Sequence, residues 1–163
     1  MANWCSNTVE FIGEHSQFER LGKFFTAMAA KEQKERKGQL PEFAGRNGGY
    51  LFDIRWEDGI LYYETKWSSN TAVIVTIAEH FEVGFTHTYS EPGNLIYGEA
   101  QFRDGILKDV SLDDDDASAY GYDEDNNTYH FENQNYECSE EIQEILLARK
   151  KALIVLQATR NEE

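Results

Sequence analysis

A chain of 163 residues, 40% hydrophobic and 13% aromatic, is long enough to bury one core, and disorder along its whole length is excluded. Its formal net charge is −15, and thirteen of its thirty acidic residues lie between Asp109 and Ala148, a stretch without a single Lys or Arg. That local acidity argues against direct binding of nucleic-acid phosphates and for a cationic partner, a bound metal ion or simple solubility.

Residues 3–12 alternate Cys5, Asn7, Val9 and Phe11 against Trp4, Ser6, Thr8 and Glu10, the period of a strand with one apolar face. Ser16 and Glu19 have the spacing of a capping box, and Phe18, Leu21, Phe25 and Met28 follow as a helical stripe. The charged stretch Lys31–Lys37 loses the stripe, so it is expected to project into water before Gly38 stops the helix. Two strands are expected at Tyr50–Trp56 and Ile60–Trp67, joined by Glu57-Asp58-Gly59 in hairpin turn chemistry. Ser68, Ser69 or Asn70 caps a second helix over Ala72–Phe81. Val83, Phe85, His87 and Tyr89 form another alternating run, and after Glu91-Pro92-Gly93-Asn94 come strands at Leu95–Arg103 and Ile106–Leu112.

The first 90 residues therefore read strand, helix, strand, strand, helix, strand. That is the split βαβ order of a ferredoxin-like α+β sandwich, with an antiparallel sheet, both helices on one face, and two further strands added by meander. Residues 1–112 form this core, and 113–163 add an acidic loop, one short strand at Thr128–Phe131 and a C-terminal helix from Ser139 packing on the same domain. The apolar side of that helix is expected to hold Ile142, Ile145 or Leu146, Leu153 and Leu156, with Arg149, Lys150 and Lys151 between them.

Three stretches stand out: the opening Met1-Ala2-Asn3-Trp4-Cys5-Ser6-Asn7, the Thr-x-Trp-Ser block within Tyr63-Glu64-Thr65-Lys66-Trp67-Ser68, and the residues Phe85, Tyr89, Glu91 and Gly98. In these the chain resembles the YubB ferredoxin-like domain family, small bacterial proteins frequent on plasmids, phages and other mobile elements, with no established molecular role. The resemblance covers residues 1–105, implies the same fold, and carries over no catalytic residue. Asn47-Gly48-Gly49 departs from the Asn-Trp-Gly followed by Thr-Lys-Trp that relatives often show, so no ligand role is carried onto that loop.

Trp4, Trp56 and Trp67 could stack bases on an open sheet face, but filling the layers is their simpler use, and no basic stripe accompanies them. Asp123, Asp125 and Asn127 have the first spacings of a calcium loop, yet Thr128 stands where Gly is needed and Gln134 where a bidentate Glu is needed. His15, His80, His87 and His130 show no metal-ligand spacing, and no phosphate loop or nucleophile elbow is present, so neither cofactor nor metal is expected. The opening residues carry no secretory pattern, runs such as Leu153–Leu156 are too short to cross a bilayer, and Cys5 and Cys138 read as free thiols of a reducing cytosol. The expectation is a cytoplasmic, non-enzymatic binding or adaptor protein meeting a basic protein partner, with Tyr63, Trp67, Asp113, Asp114, Asp115 and Asp116 as binding residues. A DNA mimic that blocks a host defence protein is the alternative, and a small-molecule enzyme with a cleft beside Asn47–Tyr50 is third. Homodimerisation through an exposed sheet edge stays open.

Overall fold

Alternation along each strand decides which side chains meet the helices and which stay on the open face. The computed structural model describes residues 3–45 and 48–162. Its elements run β1 (Trp4–Ile12), α1 (His15–Glu35), β2 (Phe52–Glu57), β3 (Ile60–Lys66), α2 (Thr71–Phe81), β4 (Gly84–Glu91), β5 (Ile96–Arg103) and β6 (Ile106–Ser111). The six strands form one sheet in the order β2-β3-β1-β4-β5-β6, every neighbour antiparallel. This is the ferredoxin-like order, with β5 and β6 extending the sheet beyond β4.

Val9 and Phe11 of β1, Leu61 of β3, and Phe85 of β4 bury against Leu21, Phe25 and Met28 of α1 and Ile74, Ile77 and Phe81 of α2. Trp56 belongs to this layer, its ring 5.5 Å from that of Phe25 and nearly parallel to it, so it serves packing. The β2–β3 turn places Asp58 (φ 46°) and Gly59 (φ 86°) in the left-handed region, as a two-residue hairpin of this twist requires.

Four sequence expectations need correction. First, α1 begins at His15 and not after a Ser16 cap, because Gln17 fixes an earlier start. Its Oε1 accepts from the Glu14 N–H at 2.6 Å while its Nε2 donates to the Glu82 carbonyl at the end of α2. Second, the charged end of α1 does not project freely. It stops at Arg36 (φ 53°), ahead of Gly38, and the Glu32 carboxylate accepts from the N–H groups of Asp53 (2.7 Å) and Ile54 (3.0 Å). Asp53 (φ 51°) sits in the register shift of β2, so a helix side chain satisfies the backbone that the bulge leaves unpaired. Third, the acidic segment is not a loop with one strand. It holds a short helix α3 (Asp114–Ala117) and an antiparallel sheet of β7 (Gly121–Asp123), β8 (Thr128–Phe131) and β9 (Gln134–Tyr136).

Fourth, the last helix α4 (Ser139–Asn161) buries Ile142, Gln143 and Leu147, but not Leu153 or Leu156. Four consecutive apolar residues step through 300° around a helix axis, so they cannot all face one neighbour. Cys5 is buried and Cys138 half-buried, and both are free. Among the described residues no helix is long and apolar enough to cross a membrane.

The β4–β5 hairpin explains the residues quoted from it. Glu91, buried at the end of β4, accepts from the N–H groups of Gly93 (2.8 Å) and Asn94 (2.7 Å) and so shapes the turn. Tyr89 crosses β5 over Gly98 and donates its hydroxyl to Asp109 Oδ1 of β6 at 2.6 Å. A Cβ on Gly98 would lie 2.5 Å from Tyr89 Cζ. Gly98→Ala should therefore displace the ring and lower stability by roughly 1–3 kcal/mol, read as a shifted urea midpoint with an unchanged slope.

Candidate functional site

Asn7, Thr65, Asn70, Thr71 and His87 are all buried polar residues, and β1, β3, β4 and the start of α2 bring them together on the helix side of the sheet. Asn7 Nδ2 donates to the Cys5 carbonyl and to Thr65 Oγ1, both at 2.9 Å, which leaves Asn7 Oδ1 to accept from His87 Nε2–H at 2.8 Å. Thr71 Oγ1 then donates to His87 Nδ1 at 3.3 Å. Tyr63 donates to Asn70 Oδ1 at 2.5 Å, Asn70 Nδ2 to the Gly49 carbonyl at 2.8 Å, and Thr65 Oγ1 to the Ser68 carbonyl at 2.6 Å. The pattern assigns His87 the neutral tautomer with its proton on Nε2.

Two members of this network, Thr65 and Asn70, line a cleft of about 510 Å³ between Gly48–Phe52 and the first turns of α2. Thr65, Lys66, Ser68 and Asn70 line it from the β3–α2 turn, and Tyr50 and Phe52 face them. Lys66 Nζ lies over the rings of Phe52 (5.1 Å) and Trp4 (5.9 Å).

The expected binding residues fall in different places. Tyr63 is 2% exposed and its hydroxyl serves Asn70, so it supports the cleft floor and meets no solvent; burial pushes its pKa up. Trp67 lies just past β3 and not within it, in the left-handed region (φ 71°), 53% exposed, and its N–H donates to the Asn3 carbonyl. Asn47 lies outside the described residues. His87 was discernible by its place between Phe85 and Tyr89 on the inward phase of β4, and Asn7 by the same logic in β1. Asn70 turns its side chain to Tyr63 and Gly49, so it stands at the N-cap of α2 without capping it.

Burial holds the His87 pKa down at about 4. An unfolded histidine takes up a proton near 6.5, whereas folded His87 stays neutral until about 4, so stability falls as the pH drops through that window. Chemical denaturation between pH 7 and pH 4 should show a loss of at most about 3 kcal/mol from this residue, and His87→Gln should flatten the profile.

The second candidate surface is acidic. Asp113 caps α3 by accepting from the Asp116 N–H at 3.1 Å, and Asp116 accepts from the Asp113 N–H at 2.9 Å. Lys150 of α4 reaches both carboxylates, at 3.0 and 2.9 Å, while Asp114 and Asp115 make no ion pair among the described residues. Asp123 folds its carboxylate back over the β7–β8 turn, Oδ1 accepting from the N–H groups of Asp125 and Asn126 and Oδ2 from Asn126 Nδ2, with His130 Nε2 3.2 Å from Oδ2. These bonds hold its pKa down at about 2, and no cluster that could hold a metal ion occurs among the described residues.

Arg149, Lys150 and Lys151 reach three separate places. Arg149 forks onto Glu132, Lys150 reaches α3, and Lys151 reaches Glu99 of β5 at 2.9 Å. Beyond them α4 leaves the sheet, opening a wedge of about 600 Å³ walled by Val110, Lys108, Ile154 and Val155. Leu153, Ile154, Val155 and Leu156 are 58%, 45%, 65% and 57% exposed.

The Asp116 N–H bond, followed by Lys150, holds the Asp113 pKa down at about 2. Its contribution is present above the unfolded carboxylate pKa and is lost as the pH falls from about 4 to about 2. Asp113→Asn should therefore melt below the wild type at pH 7, and the gap should close by pH 2.

No curated protein and no solved structure matches the chain. A family model, described as the ferredoxin-like domain in Api92-like protein, matches residues 50–132. The match supports a ferredoxin-like family without reaching the YubB family, and it runs from β2 through β8, so it takes in most of the acidic segment. With half of its length matched, the chain belongs to the family of the ferredoxin-like domain in Api92-like protein.

Proposed function

We propose that this chain is a non-catalytic binding protein whose α4 end and acidic subdomain dock a partner protein with a basic, partly apolar surface. The observation that carries the reading is the exposure of Leu153, Ile154, Val155 and Leu156 around the whole circumference of α4. A helix apolar on every side is expected inside an assembly, and contiguous exposed apolar surface marks interaction sites. The charge of the neighbouring segment selects the partner. Of its thirteen carboxylates only Asp113, Asp116 and Glu132 meet a Lys or Arg among the described residues, which leaves the rest to attract cations.

The same pairings weaken the alternative of DNA mimicry, since three of the carboxylates that would imitate phosphates serve the fold. A small-molecule enzyme gains little support, because His87 is sealed from solvent and its neighbours are engaged with one another. The resemblance of residues 1–105 to YubB domain proteins supports a setting on mobile elements, and a cytoplasmic one.

The immobilised full-length chain should capture a partner from a lysate of its host. The variant Leu153→Ser/Leu156→Ser should retain its circular dichroism spectrum and lose that partner by about tenfold or more, while salt weakens capture by the wild type. Equal capture by both proteins would overturn the reading, and displacement of the partner by duplex DNA would favour mimicry instead.

A further inference from the structure

We propose that the unpaired edge of β6 takes up an extended segment of a partner protein, added as a seventh strand beside the wedge that α4 opens. The proposal rests on the docking role of α4 and deepens it, by naming what the partner lays against the chain.

The hydrogen-bond phase of β6 supports it first. The Leu112 N–H donates to the Tyr97 carbonyl at 2.9 Å, one step beyond the Gly98–Ser111 pair. Bonded and unbonded pairs alternate in an antiparallel ladder, so Val110, Lys108 and Ile106 direct their backbone groups to β5. Leu107, Asp109 and Ser111 turn theirs outward, and none of these N–H and C=O groups has a partner among the described residues.

A second copy of β6 could fill that ladder, but its charges oppose it. Directly opposed residues of an antiparallel pair share a face, so two β6 strands related by a twofold axis centre on one residue. For β6 to pair along most of its length, that residue is Lys108 or Asp109, and it meets its own copy. Like charges directly opposite are destabilising. Each copy also brings a formal charge of −15.

A strand of another sequence escapes this, and β6 specifies its side chains. Leu107 and Asp109 oppose the buried Phe102 and Ala100, so they share the helix side of the sheet. Ile106, Lys108 and Val110 take the other side, where the wedge opens. Ile106 and Leu107 are both exposed, so an added strand would cover one apolar residue on each side. Its residue opposite Val110 would enter the wedge against Ile154 and Val155. Asp109 gives Oδ1 to the Tyr89 hydroxyl, while Oδ2 has no partner among the described residues and selects Lys or Arg opposite it. From Ser111 back to Ile106 the added strand therefore reads polar, apolar, basic, polar, apolar, apolar.

The peptide acetyl-Arg-Thr-Val-Arg-Thr-Val-Ile-Arg-amide carries that pattern and is titrated into the isotope-labelled full-length protein. Saturable amide shifts are expected at residues 106–111 and 154–159, with the amides of Leu107, Asp109 and Ser111 gaining protection from hydrogen exchange. Leu107→Pro removes an N–H that β5 does not use, so the sheet should survive while the peptide binds about tenfold more weakly or worse. Leu107→Ala, which keeps that N–H, should weaken it less. On the peptide, N-methylation of the central Arg, whose amide faces β6, should abolish binding. N-methylation of the Thr after it, whose amide faces away, should change affinity by less than about threefold. This alternation needs no protein variant, so it holds even if thermal melts show that Leu107→Pro fails to fold. Shifts that fall elsewhere or do not saturate would overturn the proposal, as would equal effects of the two methylations or full binding by folded Leu107→Pro. Dimerisation of the chain that Leu107→Pro abolishes would assign the edge to a second copy and overturn it too. Lysate capture lost in Leu153→Ser/Leu156→Ser but kept in Leu107→Pro would sustain the docking reading and overturn only this one.

Discussion

Three consecutive cations on one helix tie the acidic segment of this protein to its sheet. Successive residues of a helix point about 100° apart, so Arg149, Lys150 and Lys151 reach in three directions from one place on α4. They meet Glu132 beside β8, the capped α3, and Glu99 of β5. Each pair is at least partly exposed and individually weak, but the three share one rigid element, and together they fix where α4 lies. That orientation carries the last turns of α4 away from the sheet, with apolar residues on every side.

The core relies on a different constraint. A strand that slips by one residue turns every side chain to the opposite face, and an all-aliphatic layer resists such slips only through packing. Here Asn7, Thr65 and His87 lie on the inward phase of three adjacent strands, where each completes hydrogen bonds of another. Any other register would leave buried polar groups without partners. The quoted Thr-x-Trp-Ser block fits this picture, since Thr65 closes the turn onto Ser68 while joining Asn7. Those short motifs thus mark architecture more than chemistry.

Much of this was legible in the sequence. Alternation in β1 and β4 and the stripe of α1 were enough for the order of the core elements, because those segments obey a single period. The failures came where side chains reach across long distances. Gln17 connects the start of α1 to Glu82, and Glu32 connects its end to the bulge of β2; neither link has a local signature. Of the short strands in the acidic segment, β8 was read at Thr128–Phe131, but β7 and β9 were illegible for another reason: each has only three residues, too few for a period to emerge. The exposure of Leu153–Leu156 was within reach, since four adjacent apolar residues cannot share one side of a helix. Tyr63 points inward to Asn70, whereas Lys66, three residues on, takes the opposite phase and lies over Trp4 and Phe52.

The carboxylate of Glu32 also bears on how copies of this chain can meet. A border strand with free amides invites another backbone to lie alongside it, and repeated joining of that kind produces filaments. On the β2 border, two such amides already belong to Glu32, and the bulge at Asp53 bends the ribbon out of line. Among the described residues the β6 border has no comparable plug, and it displays Ile106 and Leu107. Lateral growth of the pleated layer across the β2 margin is therefore obstructed from within the chain itself.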